Sequence, residues 1–190
     1  MKHTHLLALF GVAAFAQQRP ALELVANQPT GYCRASQTLL LGRADNFASN
    51  GPELPAQVSP ALQAYVTSNR APTKGFDDPR EDRWVVGSWT IPGCRVCRDV
   101  IITLSLRRKI GMLGAGDTLA VGTAPFAGPN LLAKLTPWVG NALLTKTVTI
   151  TIPMLQFNQF ILNQPTGPVW LDFIMQDDTE VDFAQVTLAQ

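Results

Sequence analysis

From Thr147 to Ile152 the chain reads Thr-Val-Thr-Ile-Thr-Ile, hydroxyl and branched apolar side chains in strict alternation. Successive strand residues point to opposite faces, so this period puts one set in a core and the other on a surface. The chain must therefore build a sheet with a covered face and an open one. The signal recurs where Val100, Ile102, Leu104 and Leu106 alternate with Ile101, Thr103, Ser105 and Arg107. Trp84–Ile91, Asp117–Thr123 (Leu119 and Val121 inward), Val169–Gln176 and Val181–Leu188 read as further strands. The last two are expected to form a hairpin through the acidic turn Asp177-Asp178-Thr179-Glu180.

Turn punctuation and the lack of βαβ alternation predict an all-β, two-sheet β-sandwich. Residues 17–57 are dense in Pro, Gly, Asn and Gln and read as loops with one or two short strands around Thr38–Leu41. The best helix signal is Ser59–Val66. Ser59 suits the N-cap and Pro60 the first helical position, while Asn69 to Pro72 stops the helix. Residues 73–82 (TKGFDDPRED) read as a charged loop, and 124–137, with three prolines, as a long one. The expected organisation is a leader over 1–16, an irregular segment with one short helix over 17–80, and the sandwich over 81–190. Residues 17–190 are read as one globular unit.

The leader rests on a polar start with Lys2, the apolar run Leu6–Phe15, and small residues at Ala14 and Ala16. That is the layout of a secretory signal, too short for a bilayer span of roughly 20 residues. The expected location is extracellular, with the periplasm as alternative and no membrane span. Removing the leader takes away His3 and His5, the 2 histidines of the chain. A mature chain without imidazole excludes Ser-His-Asp and Cys-His catalysis and His-ligated zinc. Losing Lys2 also balances acidic and basic residues, which argues against nucleic-acid binding through clustered cations. Gly111–Gly116 lacks the Lys-Ser/Thr ending of a phosphate loop.

Cys33, Cys94 and Cys97 remain. Outside the cytoplasm thiols become disulfides. One structural disulfide is expected, either Cys94–Cys97 or Cys33 with one of them, since connectivity is not legible in sequence.

The succession VIITLSL, DTLAVGT, a loop reaching Trp138, TKTVTITIP, VWLDFIMQ and DDTEVDFAQVTL over residues 84–190 resembles the jelly-roll modules of the galactose-binding-like and carbohydrate-binding class. The resemblance implies glycan binding through loop aromatics and a structural calcium. Phe126 and Trp138 flank the long loop, and Trp170 shares a strand face with Asp172. These four are the candidate glycan-binding residues; Trp84 and Trp89 are further candidate platforms, with core packing as the competing role of every aromatic. Calcium takes six to eight oxygens. Asp177, Asp178, Glu180 and Asp182 crowd together, and Asp45 and Asn46 are placed to join them, as early-strand ligands do in related modules. The metal set is therefore Asp45, Asn46, Asp177, Asp178 and Asp182, against the alternative of a solvated acidic turn.

The function expected is that of a secreted, non-catalytic sandwich binding a glycan or cell-surface component, with calcium as its one candidate cofactor. The alternative is a structural or interaction protein of a surface or matrix. A carboxylate hydrolase or lyase, pairing Asp172 with Asp178 or Glu180 across neighbouring strands, is the third reading.

Overall fold

A computed structural model describes residues 35–47, 57–80, 82–93, 95–108, 117–135, 145–164, 168–176 and 179–190. All lie in the compact unit Tyr32–Gln190. The leader expected over residues 1–16 lies outside the described residues.

The fold is mostly β, with nine strands among the described residues. They are β1 (Ser36–Gly42), β2 (Thr73–Lys74), β3 (Trp84–Ile91), β4 (Val100–Arg108), β5 (Leu119–Gly122), β6 (Leu131–Leu135), β7 (Lys146–Ile152), β8 (Val169–Met175) and β9 (Thr179–Ala189). Two helices accompany them, α1 (Pro60–Ser68) and α2 (Met154–Leu162). A four-stranded sheet runs β1-β9-β4-β7, and a five-stranded sheet runs β2-β3-β8-β5-β6. The two pack face to face as a sandwich. Ile102 and Leu104 of β4, Ile150 and Ile152 of β7, and Val186 and Leu188 of β9 share one core with Val85, Trp89 and Ile91 of β3 and Leu171 and Phe173 of β8. Burying each large aliphatic of this core contributes about 2 kcal/mol.

The alternation in β4 and β7 governs the four-stranded sheet. Its outer face carries three cross-strand rows: Thr38–Thr187–Ile101–Thr151, Leu40–Gln185–Thr103–Thr149 and Gly42–Phe183–Ser105–Thr147. The other sheet is covered outside by α1. Ser59 caps that helix, its Oγ accepting from Leu62 N–H at 3.0 Å, and Pro60 takes the first turn. Leu62 and Val66 pack on Val86, Ala120 and Ile174.

Four readings of the sequence are corrected here. Asp177–Glu180 is not a hairpin turn: β8 and β9 lie in different sheets, so the chain crosses the sandwich there, and Thr179 and Glu180 already belong to β9. The segment 73–82 is not simply a charged surface loop. It contributes β2, which pairs in parallel with β3, and buries Lys74, Phe76, Asp77 and Asp78. The supposed long loop of 124–137 contains β6, which pairs with β5. Pro153 ends β7 as expected, but α2 follows at once. Its apolar residues Phe157, Phe160 and Ile161 sit three and four positions apart, on one face, and enter the core. Asp99 Oδ1 accepts the Met154 N–H at 2.9 Å, supplying the cap that Pro153 lacks. Asn158 clamps both the N–H and the carbonyl of Val96.

Candidate functional site

The first candidate is a corner of carboxylates beside the end of β1. That strand stops at Gly42, whose φ of 74° is left-handed; a Cβ there would lie 2.6 Å from the Phe76 ring. Beyond this point β9 loses its β1 partner, and Asp77 N–H takes over by donating to Val181 O at 2.9 Å. Between Ser105 and Leu106 the β4–β9 register shifts. Ser105 opposes Phe183 and Leu106 opposes Val181, so Asp182 is the extra residue of a bulge. A bulge re-aims a side chain, and here the Asp182 carboxylate accepts the Phe47 N–H at 3.1 Å. Asn46 and Phe47 are left-handed at φ 60° and 58°, which curls the chain after β1 back over this point. Asp45, Asp77 and Asp182 thus meet, each offering an oxygen within 4.8 Å of the others.

Of the expected metal ligands, the fold brings Asp45 and Asp182 together. Asn46 is adjacent in sequence, but its Oδ1 accepts from Thr145 Oγ1 at 3.0 Å. Asp177 and Asp178 lie outside the described residues. Asp77 was missed. The signal available was Phe76, an aromatic anchor inside a charged run, which implies that its neighbours are carried inward.

Arg107 stiffens the same region. Its Nη2 donates to Glu180 Oε2 at 2.6 Å, and its guanidinium lies 4.1 Å from the Phe47 ring centroid. The Asp117 carboxylate accepts from the Thr179 hydroxyl.

The second candidate is Asp172 in β8. The sequence places it on the face opposite Val169, Leu171 and Phe173, and that phase is observed. The expectation that Asp172 binds a glycan is corrected, because α1 covers this face and Asp172 is 0% exposed. Its oxygens accept from Ser88 Oγ at 2.6 Å, Ser59 Oγ at 3.0 Å and Ala124 N–H at 3.1 Å. Burial pushes its carboxyl above the usual carboxylate range, against the opposite pull of the Ser88, Ala124 and Ser59 hydrogen bonds. Ser88 Oγ in turn accepts the Ser59 N–H at 2.8 Å. One carboxylate thereby ties the helix cap, β3 and the loop after β5 to β8, and offers nothing to a ligand.

The proposed pairing of Asp172 with Glu180 is corrected with it. Asp172 and Glu180 lie on strands of different sheets, and Glu180 is buried in its ion pair with Arg107. Asp178 lies outside the described residues. At the β2–β3 turn, hydrogen bonding from Arg80 holds the Asp78 carboxyl below the usual range.

The aromatic candidates divide. Trp89 is a core residue, 5.3 Å from the Phe173 ring. Trp84 and Phe126 are half-buried and gather around Tyr65 of α1, at centroid distances of 6.2 and 5.6 Å. Phe126 is therefore part of the packing under the helix rather than an open platform. Trp170 is half-buried on the same side, and Trp138 lies outside the described residues.

Cys97 is disulfide-bonded, with its Sγ 3.2 Å from Ala189 O. Cys33 and Cys94 lie outside the described residues, so the fold does not choose between the pairings. Among the described residues no helix is long and apolar enough to cross a membrane. No family model, curated protein or solved structure matches the chain.

Proposed function

We propose that this chain is an exported, non-catalytic jelly-roll sandwich that binds a glycan or another cell-surface component and carries calcium as a structural ion. The strand order carries the reading. With the two-residue β2 set aside, the strands number one to eight along the chain. The sheets then run first-eighth-third-sixth and second-seventh-fourth-fifth. Two Greek keys wound into a jelly roll give that order, an architecture shared by lectin domains. The step from architecture to glycan is one of analogy. Against a carboxylate hydrolase built on Asp172 and Glu180 stands the fate of those two acids, both buried and bonded within the fold.

The calcium part rests on Asp45, Asp77 and Asp182. Carboxylates are the hard oxygen donors this ion takes, and separations of up to 4.8 Å suit oxygens about 2.4 Å from a shared ion. When bound, calcium neutralises the corner and ties together the three chain segments that meet there.

The test is a glycan array probed with the leader-free protein, with and without a chelator, alongside thermal melts in calcium. Binding to a glycan, together with a melting temperature raised by calcium, is the expected result. A blank array under both conditions sinks the glycan reading; a melt indifferent to calcium removes the ion. One observation favours the interaction-protein alternative: Leu155 and Leu162, one heptad apart on α2, are 76% and 59% exposed.

A further inference from the structure

We infer that the outer face of the four-stranded sheet is the docking surface, and that its partner is an uncharged polysaccharide ribbon. This rests on the glycan reading and names the face and the class of glycan. The three rows of that face hold six threonines, Thr38, Thr103, Thr147, Thr149, Thr151 and Thr187, and not one ionisable side chain. The chain as a whole is 15% charged, so about two charges would be expected on a patch of this size.

The threonines have a simpler explanation in part, because β-branched residues favour strands. That preference does not account for the missing charges. Among the described residues β1 and β7 are the edges of this sheet, where lysines ordinarily deter pairing. Charged residues do stand just beyond the rows, at Arg43, Arg107 and Lys146. The face is a neutral field with a charged margin.

Charge complementarity selects the partner. A face without cations leaves phosphate, sulfate or carboxylate groups uncompensated once they are desolvated. Hydroxyls donate and accept, so a partner made of hydroxyls satisfies them in both directions. The sheet spaces them about 4.8 Å apart across strands and about 6.8 Å along each strand. Thr38 and Thr187 show the cross-strand approach directly, with hydroxyl oxygens 3.5 Å apart. Leu40, Ile101 and Phe183 stand among them as apolar contacts for the C–H faces of sugar rings. Leu40 is exposed, and Phe183 is half-buried with only Gly42 and Ser105 beside it in its row.

The test is retention of the leader-free protein on insoluble cellulose and chitin, with pectate as the acidic comparison, at low and high salt. Wild type should be retained by a neutral matrix independently of salt. Thr149→Lys with Thr187→Lys should weaken retention at least about tenfold, because the lysines must lose hydration against a neutral partner. Trp170→Ala, on the other sheet, should leave it unchanged. Thr149→Lys alone, on an exposed edge position, serves if the double variant melts early. Retention that survives the lysines but is lost in Trp170→Ala overturns the face. Retention on pectate alone, or loss at high salt, overturns the neutral partner. Both results leave the glycan reading standing, whereas failure to bind any neutral or acidic glycan ends both.

Discussion

Two acidic regions of this sandwich solve opposite problems. At Asp172 a single carboxylate is surrounded by donors: two serine hydroxyls and one backbone N–H. At the corner beside β9 three carboxylates, Asp45, Asp77 and Asp182, are brought against one another. The first arrangement is complete without any partner from outside, because each oxygen has a donor and the charge is spread over three bonds. The second gathers three carboxylates within 4.8 Å of one another, with Asp182 also accepting the Phe47 N–H. Acidic residues in a sandwich are therefore not interchangeable signals of a ligand. What distinguishes them is whether other acids stand beside them.

The largest effect that tests this contrast is Asp172→Ala. It strips the acceptor from Ser88, Ser59 and Ala124 at once in a buried site. Each orphaned donor costs about 1–3 kcal/mol, and serine hydroxyls can turn to other partners, so a loss of about 3 kcal/mol is expected in urea unfolding. A loss under about 1 kcal/mol would mean that the node is not what holds α1 to the sheet. Next comes the corner. Calcium at a hundredfold excess over its dissociation constant should add about 2.7 kcal/mol to the stability of wild type. Asp45→Asn should abolish that increment while changing calcium-free stability by no more than about 0.5 kcal/mol, since Asp45 is exposed. An unaltered calcium response in this variant would remove Asp45 from the site. Smaller again is Ser59→Ala, which deletes the N-cap bond to Leu62 and one of the three bonds to Asp172. About 1–2 kcal/mol is expected by thermal melting.

The same contrast explains what was legible in the sequence. Periodicity gave β4, β7 and the phase of β8, because alternation is a local property. It also gave α1, whose cap and first-turn proline are adjacent to one another. It did not give α2, because Pro153 reads equally as the end of a strand and the approach to a helix. Nor did it give β6, hidden among prolines that mark turns on either side of it. The corner was half visible. Asp45 and Asp182 are far apart in sequence, but Asp45 closely follows β1 and Asp182 belongs to the acidic run that opens β9. Asp77 stayed hidden because its place depends on β1 ending and on Phe76 entering the core. The hairpin expected between β8 and β9 failed for a related reason. Strand neighbours in sequence pair across a short turn only when they share a sheet, and these two cross between sheets. Asp172 was placed on the correct face, yet no local pattern tells that a helix more than a hundred residues earlier lies over it.

The smallest expected effect is also the most discriminating, because it weighs burial against hydrogen bonding at Asp172. Burial raises its pKa in the folded state, so the fold binds a proton that the unfolded chain releases near 3.8. The stability tied to this group is fully present below that value and is lost as pH rises through the raised one. Asp78 works in the reverse sense. Its pKa is lowered chiefly by the Arg80 hydrogen bond, so its contribution is present above 3.8 and lost as pH falls through the lower value. Measured by urea unfolding across the acid range, the penalty of Asp172→Asn should shrink as pH rises, because wild type gives up stability that the neutral amide never had. A penalty that grows with pH would show the reverse balance, with the two serines and the Ala124 amide holding the carboxylate ionised more strongly than burial opposes it.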